Sequence, residues 1–177
     1  NGRLATGYTG DLREAAPIDI GVLAPAGELR STARDMLAYL SAQTGLTKTP
    51  LGPAMATTHN TQFKGTRQMG LGWIIHQGRY HWHNGGTTGF ATFVGFDTKA
   101  RVGVVVLSNT STVYHPPTPL GMALLQMMTQ QSYAPVKLPA TVEVPPATLD
   151  LYAGTYSGAS LTIKVVRKGD ALWASWQ

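Results

Sequence analysis

The sequence predicts a mixed α/β fold of the α+β type, in which helices pack on an antiparallel sheet. Between residues 70 and 109, runs with strand-like alternation follow each other with only short turns between them. Two segments with helical spacing flank these runs. Hydrophobic residues make up 43% of the 177 residues and charged residues only 13%, a composition typical of a chain that buries a core.

The first helix is predicted in the segment STARDMLAYLSAQTG, residues 31–45. Ser31 and Thr32 are N-cap candidates, and Thr32 with Asp35 has the spacing of a capping box. Gly45 is suited to end the helix. Apolar residues recur at helical spacing along the segment: Ala33, Met36, Leu37 and Leu40. The following stretch, 46–69, is rich in Thr, Pro and Gly, and we expect it to be irregular.

Four strand signals come next and predict an antiparallel meander. They are GLGWIIH (70–76), RYHWHNG (79–85), FATFVGFD (90–97) and VGVVVLSN (102–109), with turns at Gln77-Gly78 and at TKAR (98–101). Alternation in the third run places Phe90, Thr92, Val94 and Phe96 on one face. The last run is almost continuously apolar, which indicates a strand covered on both faces.

The second helix is predicted over residues 117–130, with Thr118 as the cap and Pro119 at the first helical position. Its apolar residues are expected to pack on the sheet: Leu120, Ala123, Leu124, Met127 and Met128. A first domain is therefore predicted over 1–133. A proline-rich linker is predicted over 134–147. Residues 148–177 are predicted to form short antiparallel strands, and because a lone hairpin is marginal in water, we interpret them as the start of a small β domain that is cut short.

Composition excludes several classes of function. The net charge is +5, but the cations are scattered singly, so no clustered basic patch indicates nucleic-acid binding. The absence of cysteine excludes disulfides, cysteine metal ligands and a thiol nucleophile. No apolar run is long enough to predict a transmembrane segment. Nothing in the sequence calls for a cofactor.

The segment HWHNGGTTGF, residues 81–90, admits three interpretations. The glycines could mark a structural bulge. Alternatively, His81 and His83, two apart on a strand, could bind zinc with His76 of the neighbouring strand as a third ligand. The third interpretation is an oxyanion strand, whose glycines let a substrate approach backbone N–H groups.

The third interpretation agrees with a family resemblance. LAPAGELRSTARDMLAYL, MGLGWIIH, HWHNGGTTGFATFVGFDTKARVGVVVLSN and the helix after them, in this order, resemble the C-terminal half of the serine β-lactamase-related family. This family includes class C β-lactamases, penicillin-binding proteins, D-aminopeptidases and esterases. The resemblance implies a partial β-lactamase/transpeptidase-like fold over about 1–130 and a periplasmic or secreted bacterial location. Residues 148–177 resemble the start of a lipocalin-like domain.

The resemblance also implies the site residues. His83-Asn84-Gly85 occupies the place of the family's K-T-G motif, and Gly86 would supply an oxyanion N–H, so His83 and Gly86 are the implied catalytic residues. Asn84, Gly85 and Thr87 are the implied substrate-binding residues. Histidine is largely neutral near pH 7 whereas lysine is a cation, so the His variant favours an esterase or peptidase over an efficient β-lactamase.

Two further motifs of the family are absent. No serine is followed three residues later by lysine, so S-x-x-K is missing, and neither Y-x-N nor S-x-N occurs. We therefore expect a C-terminal fragment of a serine hydrolase that is inactive alone, its partners being the N-terminal half of the same domain and a small-molecule or peptide substrate. The alternatives are a binding module that uses its strand edge and a self-associating module.

Overall fold

A computed structural model describes residues 4–111, 117–133, 142–158 and 161–176 of the chain. The chain divides into two compact units, residues 1–138 and 139–177. The first unit contains, in chain order, β1 (Gly7–Thr9), β2 (Glu14–Ala15), α1 (Ala24–Gly27), α2 (Ala33–Gln43), α3 (Gly52–His59), β3 (Phe63–Lys64), β4 (Gln68–Met69), β5 (Ile74–His76), β6 (Tyr80–Thr87), β7 (Phe90–Asp97), β8 (Val102–Ser108), β9 (Thr110–Ser111) and α4 (Pro117–Met128).

The central sheet of the first unit has six strands in the order β3-β4-β5-β6-β7-β8, and every neighbouring pair is antiparallel. This confirms the predicted meander, including the three consecutive strands β6, β7 and β8. A smaller sheet has the order β2-β1-β9, in which β1 and β9 are parallel. The first predicted strand is shorter than expected, because Gly72 has a φ of +77° and β5 begins only at Ile74.

Both faces of the central sheet are covered, and β7 alternates between the two cores. On one face Tyr80, Phe93 and Val104 pack around Leu125 of α4. On the other, Phe96 packs with Trp73 and with Leu40 of α2, and Val94 and Val105 adjoin this cluster. The prediction that residues 102–109 form a strand covered on both faces is confirmed, since Val104 and Val105 face opposite cores.

Helix α2 begins as the sequence predicts. The Thr32 hydroxyl accepts a hydrogen bond from the Asp35 N–H (3.2 Å) and donates one to the Asp35 carboxylate (2.8 Å). The buried stripe of the helix is narrower than the predicted one, since Leu40 is buried while Leu37 is half exposed.

The prediction that residues 46–69 are irregular is wrong. This stretch contains α3, which starts with Gly52 and Pro53, and the short strands β3 and β4. Proline is favourable in the first turn of a helix because its missing N–H would have no partner there. Pro53, Thr57 and Thr58 therefore belong to a helix rather than to a loop.

The predicted apolar face of α4 is also partly wrong. The helix begins at Pro117 rather than after Thr118, and its buried residues are Pro117, Gly121, Ala123 and Leu125. Met127 and Met128 are about half exposed, so they are not the contact with the sheet. Gly121 sets the contact, because a Cβ there would lie 2.0 Å from the Phe93 ring. Because glycine has no side chain, the helix axis can lie close to β7 at this residue.

The second unit contains α5 (Pro146–Leu151), β10 (Gly154–Ser157), β11 (Thr162–Lys168) and β12 (Ala171–Trp176), the strands forming an antiparallel sheet in this order. β11 and β12 form a hairpin, and Gly169 in its turn has a positive φ (+63°). An ion pair joins Arg167 to Asp150 (2.6 Å). Residues 134–141 of the predicted linker lie outside the described residues, and its last two residues belong to α5.

Among the residues that the structure describes, no helix has the length and apolar character needed to cross a membrane.

Candidate functional site

The end of strand β6 is an exposed sheet edge. β7 pairs with β6 as far as Thr87↔Phe90, whereas β5 pairs with it only between Tyr80 and Trp82. Within the described part of the chain, residues 83–87 therefore have a strand neighbour on one side only. His83, Asn84, Gly85 and Gly86 are exposed, and Thr87 is half-buried. All five predicted site residues lie along this edge.

The register of the hairpin decides which N–H groups the edge presents. A two-residue turn, Thr88-Gly89, joins β6 to β7, so Thr87 and Phe90 form the closing hydrogen-bonded pair. Backbone groups in an antiparallel ladder point alternately toward and away from the partner strand. The N–H groups of Gly86 and Asn84 therefore point away from β7, toward the open edge.

The two glycines differ in what surrounds them. A Cβ on Gly85 would lie 2.6 Å from the Thr92 hydroxyl oxygen, so this glycine permits a close contact between β6 and β7. A Cβ on Gly86 would meet no atom within 4 Å. The bulge interpretation is wrong, because residues 81–87 of β6 pair one-to-one with residues 90–96 of β7. Packing within the described residues therefore does not require glycine at 86.

The His83 ring is oriented by its own backbone neighbour. Nδ1 lies 2.7 Å from the Asn84 carbonyl oxygen, and because a carbonyl only accepts, Nδ1 carries a hydrogen. Nε2 is then the nitrogen that can accept a proton or, in the cationic ring, donate one. The contact holds the ring at the open edge, on the side of the sheet that α2 covers.

The zinc interpretation does not match the geometry. His81 and His83 share a face, as predicted, but His81 is buried, stacks on Phe96 and donates from Nε2 to the His59 carbonyl (3.0 Å). His76 stacks on Tyr80, whose side chain lies in the opposite core. The proposed third ligand is therefore on the wrong face of the sheet. No group of three metal-ligating side chains occurs among residues 4–111, 117–133, 142–158 and 161–176.

The small sheet supports the turn that ends the site strand. The Tyr8 N–H donates to the Gly89 carbonyl (3.3 Å), and the Gly89 N–H donates to the Ser111 hydroxyl (3.1 Å). Gly89 has a φ of +83°, and a Cβ there would lie 3.0 Å from the Gly7 Cα. The contacts of Gly7 and Tyr8 with Gly89 join segments about 80 residues apart, and the contact with Ser111 spans 22 residues. Local sequence patterns therefore gave no sign of them.

A pocket of about 390 Å³ opens beside His83, between α2, α3 and the sheet. Next to it, the His59 ring contacts the Gln43 side-chain oxygen (Nε2 to Oε1, 2.6 Å), and Gln43 Nε2 donates to the Tyr39 hydroxyl (2.7 Å). Burial, followed by the neighbouring His81, lowers the pKa of His59 to about 4. Sequence reasoning missed this pocket because α3, one of its walls, was predicted as loop.

The lowered pKa of His59 predicts a pH-dependent stability. In the unfolded chain this histidine takes up a proton near pH 6.5, whereas in the folded chain it does so only near 4. Its contribution is therefore complete above pH 6.5 and decreases toward pH 4, by roughly 1–2 kcal/mol after allowance for partial solvent exposure. Urea unfolding at pH 7.5 and 4.5 measures this, and His59→Gln, which keeps an N–H donor for Gln43, should remove most of the difference. An unchanged difference in the variant would contradict the assignment.

Comparisons with known proteins agree with this fold. The sequence model of the beta-lactamase family matches residues 2–127. A search of curated proteins found no match. The beta-lactamase/D-alanine carboxypeptidase from Pseudomonas syringae has a TM-score of 0.59 at 23% identity over 73% of this chain and 46% of its own. The octameric penicillin-binding protein homologue from Pyrococcus abyssi has a TM-score of 0.52 at 18% identity, over 82% of this chain and 36% of its own. A class C beta-lactamase has a TM-score of 0.55 at 22% identity, over 61% of this chain and 38% of its own.

The chain belongs to the beta-lactamase family, whose model matches more than half of its length. Its fold, a mixed α/β arrangement with an antiparallel sheet and packed helices, is similar to that of these structures. The chain spans less than half of the length of each of the three structures.

Proposed function

We propose that this chain is the C-terminal part of a serine hydrolase that cleaves an amide or ester bond through an acyl-enzyme. The observation that supports the proposal is the open edge of β6, which presents the Gly86 N–H and the His83 ring. The correspondence of these residues to the family's K-T-G motif comes from the sequence resemblance and is part of the proposal. Acyl transfer needs a preorganised N–H donor where the oxyanion develops, and a strand edge without side chains gives a substrate access to it.

Each residue of the edge has a proposed role. Gly86 donates its N–H to the oxyanion, and His83 binds the substrate or takes part in proton transfer through Nε2. Asn84, Gly85 and Thr87 line the strand along which the substrate lies. Histidine at 83, which unlike lysine is not a permanent cation, favours an ester or an uncharged peptide group over a substrate that needs such a cation. No cofactor or metal takes part in this scheme.

The proposal predicts that the 177-residue chain forms no acyl adduct, because it has no S-x-x-K serine and so no activated nucleophile. Intact mass after incubation with a fluorescent penicillin and with a fluorophosphonate measures this. When the chain is joined to the polypeptide encoded upstream of Asn1, a single serine adduct should appear. A stoichiometric adduct on the 177-residue chain, or none on the joined protein, would contradict the proposal.

Self-association is the second candidate function, and exposed apolar side chains on the first unit favour it. Val22 is 95% exposed and Leu29 88%, both ahead of α2. Such residues bury apolar surface when copies associate. The Pyrococcus abyssi homologue is octameric, which agrees with association in this family.

We expect sedimentation velocity to show dimers or larger species that grow with concentration. Replacing both Val22 and Leu29 with Asp should shift the distribution toward monomer, because burying two carboxylates in an interface is unfavourable. A clean monomer at high concentration would eliminate self-association and leave the hydrolase proposal unaffected.

A further inference from the structure

The pocket beside His83 has a floor formed by the sheet and walls formed by helices. Trp73, only 6% exposed, and Val94 belong to the core that α2 covers, and Met55 of α3 and Leu71 line the sides. Its volume of about 390 Å³ is at the small end for ligand pockets, so it suits one side chain or a short acyl group rather than a whole drug-sized ligand.

The lining contains no Asp, Glu, Lys or Arg among the described residues. A cationic group that entered would lose water and find no carboxylate to pair with there, which is strongly unfavourable. An uncharged apolar group would instead replace water against Trp73, Met55 and Leu71. The pocket therefore discriminates by charge before it discriminates by shape.

The Tyr39 hydroxyl is one of the polar groups that line the pocket. The Tyr39 oxygen accepts from Gln43 Nε2 (2.7 Å), and the Gln43 oxygen contacts His59 Nε2 (2.6 Å), so the amide is held at both ends. Because Tyr39 accepts in this arrangement, its own O–H can donate to a group in the pocket. A carbonyl oxygen is a suitable acceptor for that donor.

We propose that this pocket is the subsite for an uncharged apolar side chain of the substrate, aromatic or short aliphatic, attached beside the carbonyl that reacts at β6. The inference rests on the proposed function, because what connects the pocket to the chemistry is that His83 belongs to both the lining and the open edge. A side chain bound between Trp73 and Met55 would hold the reacting bond next to His83.

Binding is measured on the 177-residue chain, with no need for catalysis. Phenylacetamide, an uncharged ring with a carbonyl, is titrated while the indole signal of Trp73 and the ring signals of His83 are followed by NMR. A ligand of roughly ten non-hydrogen atoms should bind with a Kd on the order of a few millimolar. The analogue with an aminomethyl group in the para position should bind at least about tenfold more weakly, since its ammonium would enter the pocket.

A matched pair of variants separates this pocket from other surfaces. Ala54 and Ala56 are both exposed residues of α3, but only Ala54 lines the pocket. Ala54→Leu fills the space and should weaken phenylacetamide binding about tenfold or more, whereas Ala56→Leu should leave the Kd within about twofold. No saturable shift, equal effects of the two variants, or equal affinity for the charged analogue would overturn the proposal.

Catalysis gives a separate readout in the protein joined to its upstream segment. Ala54→Leu should lower kcat/KM for a phenylacetyl ester relative to the acetyl ester, and Ala56→Leu should not. If the acyl-enzyme still forms but Ala54→Leu leaves the ratio of kcat/KM for the two esters unchanged, the subsite is overturned and the proposed function is not. Absence of any acyl-enzyme would contradict the proposed function, and the role of the subsite with it.

Discussion

In the enzyme obtained by joining this chain to the polypeptide encoded upstream of Asn1, replacing Gly86 with proline should lower turnover by roughly 100- to 1000-fold. This corresponds to a loss of about 2.7–4 kcal/mol of transition-state stabilisation. The reason is that proline has no N–H, and the Gly86 N–H is the proposed donor to the oxyanion. The register of β6 makes this substitution informative. The N–H at 86 points away from β7, so the change removes no hydrogen bond of the ladder.

Gly86→Ala is the matched control for this experiment. It keeps the N–H, and the added Cβ has no atom within 4 Å, so the variant should fold normally and keep most of the turnover. Single-turnover acylation of the joined enzyme compares the two variants, and amide signals of β6 and β7 verify that both are folded. A folded Gly86→Pro enzyme with near-normal turnover would eliminate Gly86 as the oxyanion donor.

The parts of this fold that sequence alone predicts are those with local periodicity. The alternation of Phe93 with Val94 and Phe96 places β7 between two cores, and the Thr32–Asp35 spacing places the start of α2. Both signals depend on neighbours within a few residues. The structure confirms both, because the local preferences agree with the tertiary packing.

Contacts between segments that are distant in the sequence could not be predicted from local patterns. The short Gly52–His59 helix has no clear apolar stripe, so nothing in its periodicity separates it from a loop. The pocket that it forms, and the contact from His59 to Gln43, could not be inferred without it. At α4, the small residue Gly121 rather than the large Met127 sets the contact with the sheet, which an apolar count does not detect.

Asp97 is another residue whose structural importance the sequence did not indicate. It ends β7 and is 1% exposed. Its carboxylate accepts from the Lys99 N–H (2.8 Å) and the Ala100 N–H (3.0 Å), and it pairs with Arg79. The carboxylate thus fixes the turn before β8 and links it to the loop before β6.

The balance of these contacts determines the charge state of Asp97. Burial on its own raises the pKa, but the N–H groups of Ala100 and Lys99 and the Arg79 guanidinium outweigh it and hold the pKa below its usual value of 3.8. The stability that the carboxylate contributes is therefore present above about pH 3.8 and is lost as the pH falls through the lower folded value.

We expect Asp97→Ala to destabilise the first unit by about 3 kcal/mol, because two backbone N–H groups lose their charged acceptor and Arg79 loses its partner. Arg79 is partly exposed and can regain water, so the cost should stay below that of a fully buried pair. Asp97→Asn keeps an oxygen for the turn and should lose about half as much. Urea unfolding followed by the amide signals of β7 and β8 reports on this unit alone. Equal losses in the two variants would show that the charge, and not the capped turn, carries the stability at this corner of the sheet.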